Sequence, residues 1–115
     1  MKVINRIKSN EEFVITVRKG KALKASSYVV HFKKNDLNIC RVGLSVSKKI
    51  GNAVIRNRVK RQIRAMCNLL INFDQYSYDI VIVARQEFLK ENFESNKETL
   101  NKLLSEIGIT KWKKE

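Results

Sequence analysis

The sequence predicts an α/β fold, a two-layer α+β sandwich in which a mixed β-sheet packs against amphipathic helices. Two segments alternate apolar and polar residues, which is typical of half-buried strands. Other segments carry apolar residues every three or four positions, which is typical of helices with one buried face. These elements follow one another in the order αββαβα, with space for one further short strand near residues 21–25. The length of 115 residues suits a single domain over residues 1–115.

The N-terminal half begins with a helix and continues with strands. Ser9 or Asn10 is expected to cap a helix that ends at Gly20, with Phe13, Val14 and Val17 at helical spacing. Residues 27–33 and 40–47 alternate in polarity, and the short polar turn between them predicts that they pair as a hairpin. In the second strand the outward side chains are small or polar, which leaves one face open to a ligand.

A long amphipathic helix is expected to begin at Gly51 and Asn52, with Asn52 as its N-cap. Its apolar residues recur at the spacing of one buried stripe. The stripe consists of Ile55, Val59, Ile63, Met66, Cys67 and Leu70. Nearly all of the basic residues of this helix lie on the side away from the stripe.

The remaining elements complete the sheet and its helical cover. Residues 78–85 form a continuous apolar run, which predicts a buried central strand, parallel to a neighbour because a helix precedes it. Residues 94–107 predict a closing helix that Ser95 or Asn96 caps and Gly108 ends. Cys40 and Cys67 have no close cysteine partner, so we expect both to be buried as small apolar side chains.

The charge points to a polyanionic partner. The chain has a net charge of +13, and residues 1–73 hold 17 Lys or Arg but only three acidic residues. Residues 74–115 hold seven basic and eight acidic residues, so the basic surface belongs to the first two thirds. Such segregation is typical of nucleic-acid binding, since neutralising phosphates releases counterions. Because the N-terminus lacks a signal-peptide apolar run, we expect a cytoplasmic protein, and no stretch is long enough to cross a membrane.

The chemistry is concentrated in residues 41–64, which hold eight basic residues and no acid. Lys48 and Lys49 lie where a strand ends and a helix begins, and a helix N-terminus attracts anions through its free N–H groups. The helix then presents arginines, whose planar side chains can donate two hydrogen bonds to one phosphate. The segment therefore predicts two RNA surfaces, the basic helix and the half-polar face of the sheet.

The run SVSKKIGNAVIRNRVKRQIR, with its RNR element at residues 56–58, resembles the bacterial ribonuclease P protein family. RIKSNEEF, RVGLSVSKK and YDIVIVAR extend the resemblance over essentially the whole chain. The resemblance implies a left-handed βαβ crossover, which is rare in proteins. It also implies an endoribonuclease subunit without catalytic residues of its own. Its partner would be a large RNA subunit, one protein per RNA, which holds most of the Mg²⁺ and removes the 5′ leader of precursor tRNA.

The family's binding residues can be carried over where this sequence matches. The helix expected to bind the RNA subunit contributes Arg56, Asn57, Arg58, Lys60, Arg61 and Arg64. The adjoining phosphate-binding loop contributes Lys48, Lys49 and Asn52. The cleft expected to hold the leader contributes Phe13, His31, Arg41 and Ser45. Val17 and His31 replace residues that are often aromatic in relatives, so we expect a weaker grip on the leader or a shift toward Phe32 or Tyr28.

Three other functions compete with this interpretation. A structural RNA-binding protein of ribosomal type would share the composition and differ only in the long motif. A helix-turn-helix DNA-binding protein requires two short helices joined by a tight turn, whereas strands flank this basic helix. A protein-only nuclease would require clustered carboxylates or histidines as metal ligands, and the basic segment contains neither. Trp112 is expected to pack against the body of the protein.

Overall fold

The computed structural model describes residues 1–111 and confirms the α/β fold class. The helices are α1 (Asn10–Lys19), α2 (Ala53–Leu70) and α3 (Phe93–Ile107), with 3₁₀ turns at Val3–Asn5 and Gln86–Lys90. The strands are β1 (Lys21–Lys24), β2 (Tyr28–Lys34), β3 (Arg41–Ser45) and β4 (Tyr78–Ala84). The short additional strand for which the sequence left space is therefore present as β1. Trp112 lies outside the described residues.

The four strands form one mixed sheet in the order β1-β2-β4-β3. β2 pairs antiparallel with both β1 and β4, and β3 pairs parallel with β4. β4 is therefore a central strand with a parallel neighbour, as its apolar run predicts. Helix α2 connects the parallel strands β3 and β4, so β3, α2 and β4 form a βαβ unit.

The predicted hairpin between the second and third strands is wrong, because β4 lies between them. The link at residues 35–40 therefore connects two strands that lie two inter-strand spacings apart, about 9.6 Å. Within this link, Asn38 has a φ of 60°. Burial explains the order. Ile80, Val81 and Ile82 have no exposed surface, so β4 needs cover on both faces and takes an interior position.

The core lies between one face of the sheet and helices α2 and α3. Tyr28 is its largest fully buried side chain; its ring packs edge-to-face on Phe88, and its hydroxyl donates to the carbonyl of Asn96. Cys40 and Cys67 are buried and unpaired, as predicted. Burial raises the pKa of Cys40 to about 11 and that of Cys67 to about 12, so both remain protonated thiols at neutral pH.

Helix α1 packs on the opposite face of the sheet, against β2 and β4. Its buried residue is Thr16, whose hydroxyl donates to the carbonyl of Glu12 at 2.9 Å, while Val14 stays 37% exposed. Of the three apolar residues at helical spacing, Val14 is exposed, and Phe13 and Val17 are partly buried. Gly20 ends the helix as predicted, close to the sheet: a Cβ there would lie 2.5 Å from the carbonyl oxygen of Phe32.

Each helix begins at a residue whose side chain accepts a hydrogen bond from a backbone N–H of the first turn. Ser9 caps α1, and Asn52 caps α2 as predicted. The expected cap of α3 at Ser95 or Asn96 is wrong, because the helix begins one turn earlier and Asn92 accepts from the N–H of Ser95 at 2.8 Å. Gly108 ends α3 in the left-handed region, with φ 89°.

Within residues 1–111, no helix has both the length and the apolar character to cross a bilayer.

Candidate nucleic-acid interface

Helix α2 is fixed in rotation by its buried stripe. Its first turn begins at Asn52, whose side-chain oxygen accepts from the N–H of Ile55 at 3.0 Å. The residues that anchor it in the core are Val59, Ile63, Met66, Cys67 and Leu70. Because the predicted stripe is the buried one, the basic residues of the helix lie where the sequence placed them.

The polar side of α2 divides into two parts. Asn57, Arg58 and Arg61 are exposed to solvent. Arg56, Lys60 and Arg64 are half-buried. Of these, Lys60 and Arg64 line a groove together with residues of β3. The sequence predicted this grouping but could not reveal which row faces another element.

No basic side chain of α2 is paired with an acid within residues 1–111. The ion pairs of this part of the chain join Arg41 to Glu12 and Asp79, Lys90 to Glu87, and Lys97 to Glu94. The Nε of Arg56 is buried and has no hydrogen-bond partner in the described structure. Because the cations of α2 have no acidic partner in this part of the chain, an external anion would stabilise them.

The loop between β3 and α2 adds two further cations beside this helix. Lys48 and Lys49 are exposed, and Gln86 donates from its side-chain nitrogen to the carbonyl of Lys49 at 3.2 Å. Asn52 uses its side-chain oxygen as the helix cap, so its amide NH₂ is the group that can donate to a phosphate. The loop therefore joins the N-terminal end of α2 to the rest of the positive surface.

The sheet face beneath α1 carries the other predicted site residues. The strand register places His31 opposite Val81, and Val81 opposite Gly43, so these three residues form one row across the sheet. Ser45 lies in the next row, opposite Val83. Lys24 and Val29 continue this second row. His31 and Ser45 therefore share one face, separated by the central strand.

A groove of about 190 Å³ joins this face to the basic helix. Phe13 packs directly on Gly43, where a Cβ would lie 2.9 Å from the ring, so this strand position must lack a side chain. Lys60 and Arg64 of α2 line the same groove. The other lining residues are Met1, Arg6, Ile7, Val42 and Leu44. The two RNA surfaces that the sequence predicted separately are thus contiguous at this groove.

The N-terminal segment forms one wall of the groove, which the sequence did not predict. Arg6 forms an isolated parallel bridge with Val42, and the N–H of Ile7 donates to the Val42 carbonyl at 3.1 Å. Asn5 is buried and donates from its side chain to the carbonyl of Cys40 at 2.9 Å. A single bridge leaves no alternating pattern in the sequence, so no periodicity could have identified this contact.

Arg41 is held by two carboxylates at the other end of the same face. Its guanidinium donates to both oxygens of Asp79, at 2.9 and 2.7 Å, and also to Glu12 of α1. These hydrogen bonds, first to Asp79 and then to Glu12, raise the pKa of Arg41. Asn35 also donates to Asp79, at 2.8 Å. The guanidinium therefore tethers α1 to the sheet, and its contact with a ligand stays a prediction.

His31 lies on this face with an unsatisfied ring nitrogen. Its Nδ1 is buried and has no hydrogen-bond partner in the described structure. Burial and, to a smaller extent, the neighbouring Lys24 lower the pKa of His31 below its usual 6.5, so the ring is neutral at neutral pH. A neutral imidazole can stack on a base without the cost of desolvating a charge.

The described residues do not form a metal site of protein ligands. Within residues 1–111 no group of three or more His, Cys, Asp or Glu could hold a metal ion. Near the groove, the carboxylates of Glu12 and Asp79 are already bound to Arg41. This donor set does not fit Mg²⁺, and no chemical step of the protein is assigned to it.

Comparison with known proteins identifies the family. The family model described as Ribonuclease P matches residues 1–108. The ribonuclease P protein component of Mesoplasma florum is 44% identical over 85% of this chain and 90% of its own, and that of Bacillus cereus strain AH187 is 40% identical over 99% and 100%.

Solved structures agree with these relatives. The RNase P protein of Staphylococcus aureus is 31% identical, with a TM-score of 0.80 over 91% of this chain and 96% of that one. The RNase P protein of Thermotoga maritima is 29% identical, with a TM-score of 0.76 over 88% and 96%. The chain therefore belongs to the ribonuclease P protein family.

Proposed function

We propose that this chain is the protein subunit of ribonuclease P, binding the RNA subunit through α2 and the 5′ leader of precursor tRNA in the cleft beneath α1. The observation that carries the proposal is the basic side of α2, which has no ion-pair partner within residues 1–111. An unpaired cationic surface is stabilised by a polyphosphate backbone. Because the chain belongs to the ribonuclease P protein family, the expected RNA partner is the RNA subunit of ribonuclease P.

The docking surface is proposed to use the exposed arginines of α2 and the lysines of the preceding loop. Arg58 and Arg61 can each form paired hydrogen bonds with a phosphate, and Lys48 and Lys49 add point charges at the helix N-terminus. Asn57 is exposed between the arginines and can read a base edge or a ribose hydroxyl.

The leader is proposed to lie across the open part of the sheet face. Phe13 and His31 offer planar rings for stacking, which is worth about 1–3 kcal/mol per base. Ser45 offers a hydroxyl in the adjacent row. Lys60 and Arg64 belong to the helix proposed to bind the RNA subunit, and they line the groove at Phe13, so the leader and the RNA subunit would meet there.

In the proposed reaction the RNA subunit and the protein have different roles. The RNA subunit would hold Mg²⁺ and carry out endonucleolytic cleavage of the leader. The protein would bind the single-stranded leader and orient it, which places the scissile phosphate without any protein side chain taking part in catalysis. We propose one protein, acting as a single domain, for each RNA subunit in the cytoplasm.

Reconstitution tests the proposal directly. The purified protein should not cleave precursor tRNA alone, and adding the RNA subunit at low Mg²⁺ should give cleavage faster than the RNA subunit alone. Cleavage by the protein alone would contradict it. Equal rates with and without the protein would instead favour a structural RNA-binding role of ribosomal type, which no observation here specifically favours.

Single substitutions separate the two proposed surfaces. Arg61→Gln should weaken binding to the RNA subunit more than it changes the dependence of precursor binding on leader length. Phe13→Ala and His31→Ala should do the reverse. Lys102→Gln on α3 removes the same charge from an exposed position away from both surfaces, and is the matched control. A reversed pattern would mean that the two surfaces are interchanged.

A further inference from the structure

A second aromatic and basic pocket lies at the other edge of the sheet. It has a volume of about 240 Å³ and is lined by Phe32 and Tyr78 together with Gly20 and four lysines. The lysines are Lys19, Lys21, Lys33 and Lys34. This pocket shares no lining residue with the groove at Phe13, which lies beside β3 at the opposite edge.

The strand register couples each ring to a lysine. Lys21 of β1 lies directly opposite Phe32, and Lys34 of β2 lies directly opposite Tyr78. Directly paired residues project from the same face of a sheet with their Cβ atoms about 5 Å apart. The two rings are 6.2 Å apart between centroids and inclined at 57°. The result is a half-exposed aromatic floor in which each ring has a lysine as its cross-strand partner.

The lysines have no counter-ion of their own. No ion pair within residues 1–111 involves any of the four, and the pocket lining contains no acidic residue. Lys33 makes only a 3.4 Å contact with the carbonyl of Lys34. Lys33 lies directly opposite Asp79 and projects from the other face of the sheet, so the charges nearest the rings are those of Lys19, Lys21 and Lys34. Like charges around one small pocket repel each other, and an anion bound among them would relieve this repulsion.

We propose that this pocket binds a nucleotide of single-stranded RNA, with the base stacked on Tyr78 or Phe32 and the flanking phosphates bound by the lysines. An aromatic platform inside a positive rim is the arrangement that binds single strands without sequence preference. A purely apolar ligand would leave the lysine charges unrelieved, and a small anion would leave the aromatic floor unused. The pocket is separate from the surfaces of the proposed function and extends the RNA contacts of the chain.

Photocrosslinking tests the pocket in the full-length protein. The probe is a short oligouridylate with 5-iodouridine, and the expected result is a crosslink to the peptide that contains Phe32 or Tyr78. Tyr78→Leu keeps the apolar bulk and should reduce that crosslink about tenfold, in line with the loss of base stacking. Thermal unfolding of the variant shows whether its fold is retained.

The lysines are tested by a charge-matched pair of double variants. Lys21→Gln with Lys34→Gln should lower the log–log salt slope of oligouridylate binding by about 1.4, as expected for two lost single-strand phosphate contacts. Lys97→Gln with Lys102→Gln removes the same charge from α3, outside the pocket, and should leave the slope nearly unchanged. Equal effects of the two double variants would overturn the proposal.

The remaining outcomes distinguish this inference from the proposed function. Crosslinks at Phe13 or His31 without any at Phe32 or Tyr78 would overturn the second site and leave the leader cleft intact. A second crosslinking experiment uses the reconstituted enzyme and shows which RNA enters the pocket. Iodouridine is placed either in precursor leaders of increasing length or in the RNA subunit. A pocket crosslink from either source supports the site, and none from either overturns it.

Discussion

At the scale of single residues, the polar contacts of Arg41 hold α1 against the sheet. Its partners Glu12 and Asp79 lie 29 and 38 positions away in the chain. The sequence placed Arg41 on the open face of a strand, which is correct, but sequence spacing carries no information about partners so distant. The sequence therefore predicts Arg41 as a residue of the leader-binding cleft, and its two carboxylate partners are known only from the structure.

Removing Asp79 should destabilise the protein markedly. Asp79→Ala leaves a mostly buried guanidinium with one carboxylate, and breaking such a pair costs about 3 kcal/mol. The control is Lys90→Ala, which breaks the exposed pair with Glu87 and should cost less than about 0.5 kcal/mol. Urea unfolding of both variants measures the difference. Equal losses of unfolding free energy would show that the Arg41 contacts contribute no more than a surface pair.

His31 should make stability depend on pH in a definite direction. Burial lowers its pKa in the folded protein, so the unfolded chain binds a proton more readily. The stabilising contribution of the neutral ring is therefore complete above about pH 6.5 and is lost as the pH falls through 6.5 toward the folded pKa.

Two measurements check this pH dependence. The imidazole resonances of the folded protein should titrate with a midpoint below 6.5. The difference in unfolding free energy between the native protein and His31→Gln should also change between pH 7 and pH 5, with the native protein losing more. A midpoint above 6.5 would contradict the buried environment of the ring.

At the scale of elements, helices were easier to predict than strand partners. The stripe of α2 and its cap at Asn52 depend on residues within one or two turns, so the sequence contains the whole signal. The pairing of β2 with β4 joins residues about 50 positions apart, and alternation identifies a strand without identifying its neighbour. The same reason explains the wrong hairpin and the unexpected bridge between Arg6 and Val42.

Two substitutions of Asn52 should distinguish its role as a helix cap from its proposed role in phosphate binding. Asn52→Ala removes the cap and should cost about 1 kcal/mol of stability. Asn52→Asp keeps an N-cap acceptor and suits the helix dipole, so stability should be retained, but its negative charge beside Lys48 and Lys49 should weaken binding to the RNA subunit. Urea unfolding and RNA affinity are measured on both variants. Unchanged RNA affinity in Asn52→Asp would show that this end of α2 does not meet phosphate.

At the scale of the whole molecule, the charges divide into two classes. Two acidic residues of α3 and its preceding turn are balanced locally, in the pairs Glu87–Lys90 and Glu94–Lys97. The cations of α2 and its preceding loop have no such partners within residues 1–111. The composition predicted this division, because the acids are concentrated after residue 73. The contact between the basic helix and the face proposed to hold the leader could be seen only in the fold, because Phe13 and Arg64 are 51 positions apart and line one groove.

The affinity of the folded protein for RNA should therefore fall steeply with salt. If about six phosphates are contacted, the log–log slope should be about −4 to −5. Arg61→Gln should make the slope shallower by about 0.7 to 0.9, the contribution of one phosphate contact. Lys97→Gln, which removes a cation already paired with Glu94, should leave it unchanged. Titrations of the RNA subunit at several salt concentrations give all three slopes, and a slope near zero for the native protein would contradict binding through the phosphate backbone.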